Sequence, residues 1–335
     1  MRRVKMTWPR LDISVTARLD EARNPGLADI WWRMLPYRSI QSHAVVADGH
    51  MYHLAPDINA VFAERQTLED RTDAPDGSVY LTRLQHLLIK YAPVLEPTVC
   101  ARVAQVEDAD VPALATVARR CWEAVYRGPG YFEVEVAQEG PPSGTGLGLP
   151  PSHDAEQPAV RDLVGDMRLV TERIWLTPAP EVVDLHGGRV PLGSRGQYFS
   201  TMVYVNGEMR TLGSTTLNPL ARAAHDPQTD LAGLLALTRP LTELQAEFLG
   251  HCGFRALRSL FDRVYAVLPQ VRSKADYGAL IAELALHVNC LRRWNLHFFP
   301  WHHGDEHRWT DALSARERQA GGRWWTWDSK AASSS

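Results

Sequence analysis

Apolar and polar residues alternate in several short runs over the first part of the chain. Residues 12–18 and 131–136 alternate with a period of two, which predicts strands with one buried face. Residues 78–91 fit either a helix or two strand segments, and we favour two strands. The front of the chain is therefore expected to contain a β-sheet.

Two turn signals add hairpins to this sheet. Asp48-Gly49 separates the β-prone runs 42–46 and 50–54. Asn206-Gly207 lies between two further runs of this kind, and an Asn-Gly pair readily adopts the positive φ angles of a tight hairpin turn. We expect a β-hairpin at each of the two positions.

Apolar residues recur at helical spacing in two segments of the front part, and in every segment from Leu231 onward. Residues 25–35 and the segment that begins at Asp110 and Pro112 each have one apolar side. From Leu231 onward the runs are helical throughout and are expected to pack as a small bundle.

This change of period predicts an α+β fold with two domains. The boundary is expected near 219–230, which places a mixed domain at residues 1–222 and a helical domain at residues 223–329. Residues 330–335 are small and polar, so this tail is expected to be disordered.

Charge and composition exclude several classes of partner. With 36 basic and 39 acidic residues the net charge is −3. The chain has no excess of positive charge, so we expect neither nucleic acid nor an anionic membrane as a partner. No apolar run reaches the roughly 20 residues of a membrane span. The 4 cysteines are scattered without a CxxC pair, which indicates reduced thiols and a cytoplasmic protein.

Histidines and acids cluster near the end of the chain, but their spacing contains no HExxH pair and includes glycine. We therefore expect no metal site. Gly144, Gly146 and Gly148 precede prolines instead of a helix, so no nucleotide cofactor is expected either. The histidine cluster comprises His297, His302, His303, Asp305, Glu306 and His307.

The candidate residues best suited to acid-base catalysis are Arg71, His86 and Glu96. Glu96 lies between Leu95 and Pro97, so its carboxyl is expected to be partly desolvated, and such a group can give and take protons near neutral pH. His86 precedes three apolar residues, which suits a histidine at the lip of a core. Each of the three residues also has an ordinary structural explanation when taken alone.

The stretch from Arg71 to Pro97 resembles the active-site region of the bacterial Pictet–Spengler synthases of β-carboline biosynthesis, the marinacarboline and kitasetaline type. An arginine, a histidine and a glutamate fall there at the spacing of Arg71, His86 and Glu96. The related cucumopine-type opine synthases have a cyclophilin-like barrel, which the front half also resembles. The resemblance implies a cyclophilin-like β-barrel with flanking helices, a C-terminal helical bundle and a homodimer.

The same resemblance implies a condensation of tryptophan, or a derivative, with a small aldehyde or 2-oxo acid, without a cofactor. Glu96 would be the main proton carrier, His86 would assist proton transfer or anchor the carbonyl partner, and Arg71 would hold a substrate carboxylate. A flat apolar slot is needed for indole. The candidates for its walls are Trp31, Trp32, Tyr37, Tyr80 and Tyr91.

Three alternatives remain open at this point. A cucumopine-like synthase would use histidine in place of tryptophan with the same acid-base residues. A cyclophilin-like module would bind or isomerise peptides, although the Phe-His-Arg-Val type of signature is absent from the sequence. A metal-dependent hydrolase would use the C-terminal histidines and would lose activity with a chelator.

Overall fold

The computed structural model describes residues 2–127, 130–140, 148–150, 153–191 and 198–302. The predicted tail at 330–335 lies outside these ranges. So do Gly144, Gly146 and the four residues of the histidine cluster that follow His302.

Eight antiparallel strands close into a barrel in the order β1-β10-β3-β4-β7-β6-β9-β2. Closure leaves no unpaired strand edge in the barrel. Strands β5 and β8 form a separate two-stranded sheet. The strands are β1 Arg3–Trp8, β2 Ile13–Leu19, β3 Tyr37–His43, β4 Asp48–Leu54, β5 Glu69–Asp70, β6 Ser78–Leu81, β7 His86–Val94, β8 Val99–Cys100, β9 Arg102–Val106 and β10 Phe132–Gln138.

Helices flank the barrel, and all secondary structure in the described chain beyond residue 158 is helical. The longest of them, α10, is buried on nearly all sides and packs against α4, α6 and α7, as expected of the central helix of a bundle. The helices are α1 Pro25–Met34, α2 Asn59–Phe62, α3 Val111–Arg127, α4 Pro158–Trp175, α5 Pro180–His186, α6 Tyr198–Arg210, α7 Asn218–His225, α8 Leu231–His251, α9 Arg255–Val267 and α10 Lys274–Phe298, with a π-helical segment Thr211–Leu217 between α6 and α7.

Strands β4 and β7 have one face inside the barrel and one outside. Met51, Leu87 and Ile89 belong to the barrel core, whereas Tyr52 and Leu88 pack in a separate cluster. Successive side chains of a strand point to opposite faces, so the outward face of these strands also carries His50, His86 and Lys90. We call His50, Tyr52, His86, Leu88 and Lys90 the outer row.

Several local predictions are confirmed. Asp48-Gly49 lies at the turn between β3 and β4, where Asp48 has a φ of 54°. Residues 78–91 form two strands, β6 and β7, as favoured. The helix predicted after Asp110 is α3. These signals are local, and burial in the barrel agrees with them.

The hairpin predicted at Asn206-Gly207 is wrong, because both residues lie within α6. Buried Met202, Val205 and Met209 recur at helical spacing on this segment, and packing of that face against α10 outweighs the local turn preference. Within the described residues the last strand therefore ends at Gln138, and the predicted boundary at 222/223 falls inside α7.

Candidate active site

Arg71 and Glu96 meet at one end of the barrel. Arg71 directly follows β5, and its backbone N–H donates to the carbonyl of Thr98 over 3.2 Å. Its Nε donates to the backbone carbonyl of Glu96 over 3.1 Å, and its Nη2 donates to Glu96 Oε2 over 2.5 Å. Two residues 25 positions apart in the sequence are thus joined.

The predicted desolvation of Glu96 is wrong for the single chain. Its side chain is 56% exposed, whereas that of Arg71 is 7% exposed. The apolar neighbours Leu95 and Val99 are exposed as well, because the segment that follows β7 lies on the surface. Apolar residues next to a carboxylate in sequence do not shelter it when they too point into solvent.

His86 is buried at the first residue of β7. Its ring stacks on Tyr52 with centroids 4.3 Å apart, and its Nε2 lies 3.5 Å from Arg292 Nη1. Burial first, and then the charge of Arg292, hold the pKa of His86 well below its usual value of 6.5. The imidazole is therefore neutral at pH 7 and can donate or accept a hydrogen bond.

The structure does not bring His86 and Glu96 into contact. They lie at opposite ends of β7, and the six residue steps of β4 that pair along it, from Asp48 to Leu54, span roughly 20 Å at strand rise. The outer row runs between the two ends, with His50 paired to Lys90 and Tyr52 paired to Leu88 in the register.

His50 is within electrostatic reach of both ends of the outer row. Its pKa is lowered to about 3, first by burial and then by the charge of Arg71. His50 in turn contributes to the lowered pKa of His86. The outer row therefore links the Arg71 end and the Arg292 end into one elongated candidate site.

Lys90 attaches the segment that covers part of the outer row. Its Nζ donates to the carbonyl of Thr72 over 3.2 Å and to the carbonyl of Ala74, and it lies 3.9 Å from a carboxylate oxygen of Asp76. Ala74 packs on Tyr52 and Leu88. This buried ammonium is satisfied by the chain itself and serves to position the turn.

Two of the predicted indole-binding residues are core residues of the barrel. Trp31 and Tyr37 are fully buried, and Trp31 Nε1 donates to the Tyr37 hydroxyl over 3.2 Å. That hydroxyl lies 2.9 Å from Nε2 of His53. Their side chains belong to the barrel core and do not face the outer row.

The other three predicted aromatic residues lie in different places. Trp32 is partly buried, with the guanidinium of Arg2 5.4 Å from the centre of its ring. The Tyr91 hydroxyl lies 2.7 Å from His43 Nε2. Tyr80 packs with Tyr52 and Leu88 beside the outer row, and it is the one predicted aromatic residue that does so.

The predicted site residues did not include His50 and Tyr52 of the outer row, or Arg292 beside His86. His50 and Tyr52 could have been found, because they alternate on one face of the predicted strand 50–54. Arg292 is 206 positions from His86, and no local pattern connects two such distant residues.

The described residues contain no group of three or more potential ligands that could hold a metal ion. His297 is buried, and its Nε2 lies 2.8 Å from the carbonyl of Gly130. None of the described helices is long and apolar enough to cross a membrane.

Comparison with known proteins identifies the group to which this architecture belongs. Residues 160–298 match the family described as "Cucumopine synthase C-terminal helical bundle domain". The solved structure of McbB in complex with tryptophan is 41% identical and superposes with a TM-score of 0.88. The match covers 91% of this chain and 100% of the McbB chain. The comparison with curated proteins finds no match.

An eight-stranded antiparallel barrel followed by a helical bundle of the cucumopine synthase type defines the class of fold. At this identity and coverage, the chain belongs to the family of McbB, the Pictet–Spenglerase family that the sequence resembles. The predicted α+β fold is confirmed.

Proposed function

We propose that the protein condenses L-tryptophan, or a tryptophan derivative, with a small aldehyde or 2-oxo acid to give a tetrahydro-β-carboline. The similarity to McbB, which was solved with tryptophan, carries this proposal. The joined Arg71 and Glu96 and the polar outer row give it residues able to act.

The reaction requires proton transfers and bond formation. The amine adds to the carbonyl, water leaves to give an iminium, the indole ring attacks the iminium carbon, and the ring then loses a proton. None of these steps requires a redox cofactor or a metal, so we propose a cofactor-independent enzyme. A positioned acid or base contributes about 10²- to 10⁴-fold to such steps.

We propose different tasks for the three predicted residues. Glu96 carries protons, and its exposure leaves it accessible to a substrate. Arg71 positions Glu96, since its Nε and Nη2 are both engaged by that residue. His86, neutral and stacked on Tyr52, would hydrogen-bond the end of a reactant that lies away from Glu96, because the two residues lie at opposite ends of β7.

A cucumopine-type synthase that uses histidine is the second candidate, because the matched family over residues 160–298 is named for that activity. The same acid-base residues would serve it. A non-catalytic cyclophilin-like binding module would form no product from any amine and carbonyl pair.

Product analysis separates these functions. Purified protein is incubated with L-tryptophan or L-histidine and with 2-oxoglutarate or an α-keto aldehyde, and products are identified by mass spectrometry. We expect a tetrahydro-β-carboline from tryptophan above the level seen with heat-denatured protein. Product from histidine alone would indicate the cucumopine type, and no product from any pair would contradict the proposal.

We further propose a homodimer in the cytoplasm. The family resemblance implies the dimer, and the chain offers a surface for it around Glu96. Val46, Leu95 and Val99 are exposed there by 82%, 74% and 63%. A second copy that covers these side chains would shelter Glu96. Free cysteines, of which Cys121, Cys252 and Cys290 are buried, support a reducing compartment.

A further inference from the structure

The guanidinium of Arg292 lacks an anionic partner among the described residues. It is buried in the last third of α10, where its Nη1 donates to Ser214 Oγ over 2.8 Å and lies 3.5 Å from His86 Nε2. Its Nε has no hydrogen-bond partner in the described part of the chain. Burial lowers the pKa of Arg292, which shows how poorly the surroundings compensate its charge.

The charged groups around Arg292 are cationic. Arg210, at the end of α6, lowers the pKa of both Arg292 and His86. His50 and His53 have pKa values of about 3, lowered chiefly by burial, so both are neutral at pH 7. The described residues thus form a buried site with excess positive charge, to which an anion is complementary.

The unpaired side of the Arg292 guanidinium suits a carboxylate. The Nε–H and an Nη2–H of a guanidinium point in the same direction. Together they can donate two parallel hydrogen bonds to the two oxygens of one carboxylate. In Arg71 this side is occupied by Glu96, whereas in Arg292 the Nε remains unpaired. The stacked rings of Tyr52 and His86 provide a flat surface next to it.

We propose that Arg292 binds the carboxylate of a substrate, in a subsite completed by Ser214, His86 and Tyr52. The inference rests on the proposed function and adds to it the residue that recognises the anionic end of a reactant. It replaces Arg71 in the role that the sequence suggested, because Arg71 is engaged by Glu96. Tryptophan and a 2-oxo acid both carry a carboxylate, and binding measurements distinguish them.

Calorimetric titration provides the first test. Wild type and Arg292→Gln are titrated with L-tryptophan and with tryptamine, which lacks the carboxylate, and likewise with 2-oxoglutarate and with methylglyoxal. We expect the variant to bind one of the two acids about 10- to 100-fold more weakly, as the loss of a charged hydrogen-bond pair implies. The carboxylate-free analogue of that acid should bind both proteins alike.

Arg292→Lys and Ser214→Asp keep the test valid if Arg292→Gln does not fold. The lysine variant retains the positive charge but lacks the two parallel N–H donors of the guanidinium. It should therefore bind the acid more weakly than wild type and more tightly than Arg292→Gln. Ser214→Asp places a carboxylate beside the guanidinium, so it should raise the melting temperature and abolish binding of the acid. Arg239→Gln, which removes an exposed arginine that is ion-paired with Glu243 on α8, is the control and should bind as wild type does.

Thermal stabilisation by acetate separates this inference from the proposed function. Relative to chloride at equal ionic strength, acetate should stabilise wild type and not Arg292→Gln or Ser214→Asp. Such a result supports the subsite even if no condensation product forms. Unchanged binding of both acids by Arg292→Gln and Ser214→Asp, or equal effects of acetate and chloride on wild type, would overturn the inference.

Discussion

Arg71 and Glu96 form an asymmetric ion pair, with a buried guanidinium and a half-exposed carboxylate. Ion pairs that solvent reaches typically stabilise a protein by no more than about 1 kcal/mol. Because the Arg71 guanidinium is buried, we replace Glu96 by glutamine, whose amide oxygen can still accept a hydrogen bond from it.

Glu96→Gln should lower the rate of product formation by about 10²- to 10⁴-fold, because the amide cannot exchange protons as a carboxyl does. The melting temperature should change little. Initial rates measured by chromatography and a thermal melt check both statements.

Glu123→Gln is the matched control for Glu96→Gln. Glu123 is also a half-exposed glutamate, paired with Arg120 over 3.3 Å on α3. We expect its activity to equal that of wild type. A fully active Glu96→Gln would remove Glu96 from the mechanism, and an equal loss in both variants would indicate a general charge effect.

At the scale of elements, α10 connects the helices to the barrel. Asn289 Nδ2 donates to Gln85 Oε1 and to Asn218 Oδ1, each over 2.9 Å. Gln85 lies in the turn between β6 and β7, has a φ of 64° and directly precedes His86. The amide of Asn289 thus ties the central helix to the turn from which His86 starts.

Asn289→Leu should reduce the free energy of unfolding by about 1–3 kcal/mol, because Gln85 and Asn218 would lose a buried partner. Urea denaturation measures the change. Leu244→Ala, at a position of α8 that is 73% exposed, should change it by less than about 0.5 kcal/mol. A similar small effect of Asn289→Leu would mean that these hydrogen bonds do not hold the helix on the barrel.

At the scale of the whole molecule, an exposed proton carrier requires something to limit the access of water to it. The chain leaves Val46, Leu95 and Val99 uncovered close to Glu96. Exposed apolar groups that lie together are typical of an interaction surface. A second copy of the chain is the partner that we propose for it.

Leu95→Asp should shift the protein from dimer to monomer and reduce product formation with it, because a charge in the interface would be desolvated. Light scattering after size-exclusion chromatography measures the mass. Leu244→Asp is the control, because Leu95 and Leu244 are 74% and 73% exposed and Leu244 lies on α8. A monomeric wild type, or dissociation caused only by Leu244→Asp, would rule out this interface.

Local signals in the sequence predicted much of the fold. The turn at Asp48-Gly49 and the helix after Asp110 follow from preferences within a few residues. The Asn206-Gly207 signal failed, since burial of one face of α6 favours a helix over the turn. The resemblance grouped Arg71 with Glu96, and a chain reversal after β7 brings these two residues together.

By itself the sequence determined most local elements of the front half and the α+β class, because periodicity and turn motifs depend on neighbouring residues. Arg71, His86 and Glu96 were proposed from the family resemblance. Only the tertiary structure decided which groups are buried and which face each other across distant segments. It exposed Glu96, placed Trp31 and Tyr37 in the core and brought Arg292 to His86. Burial and long-range contacts depend on the packing of the whole chain, which no local pattern encodes.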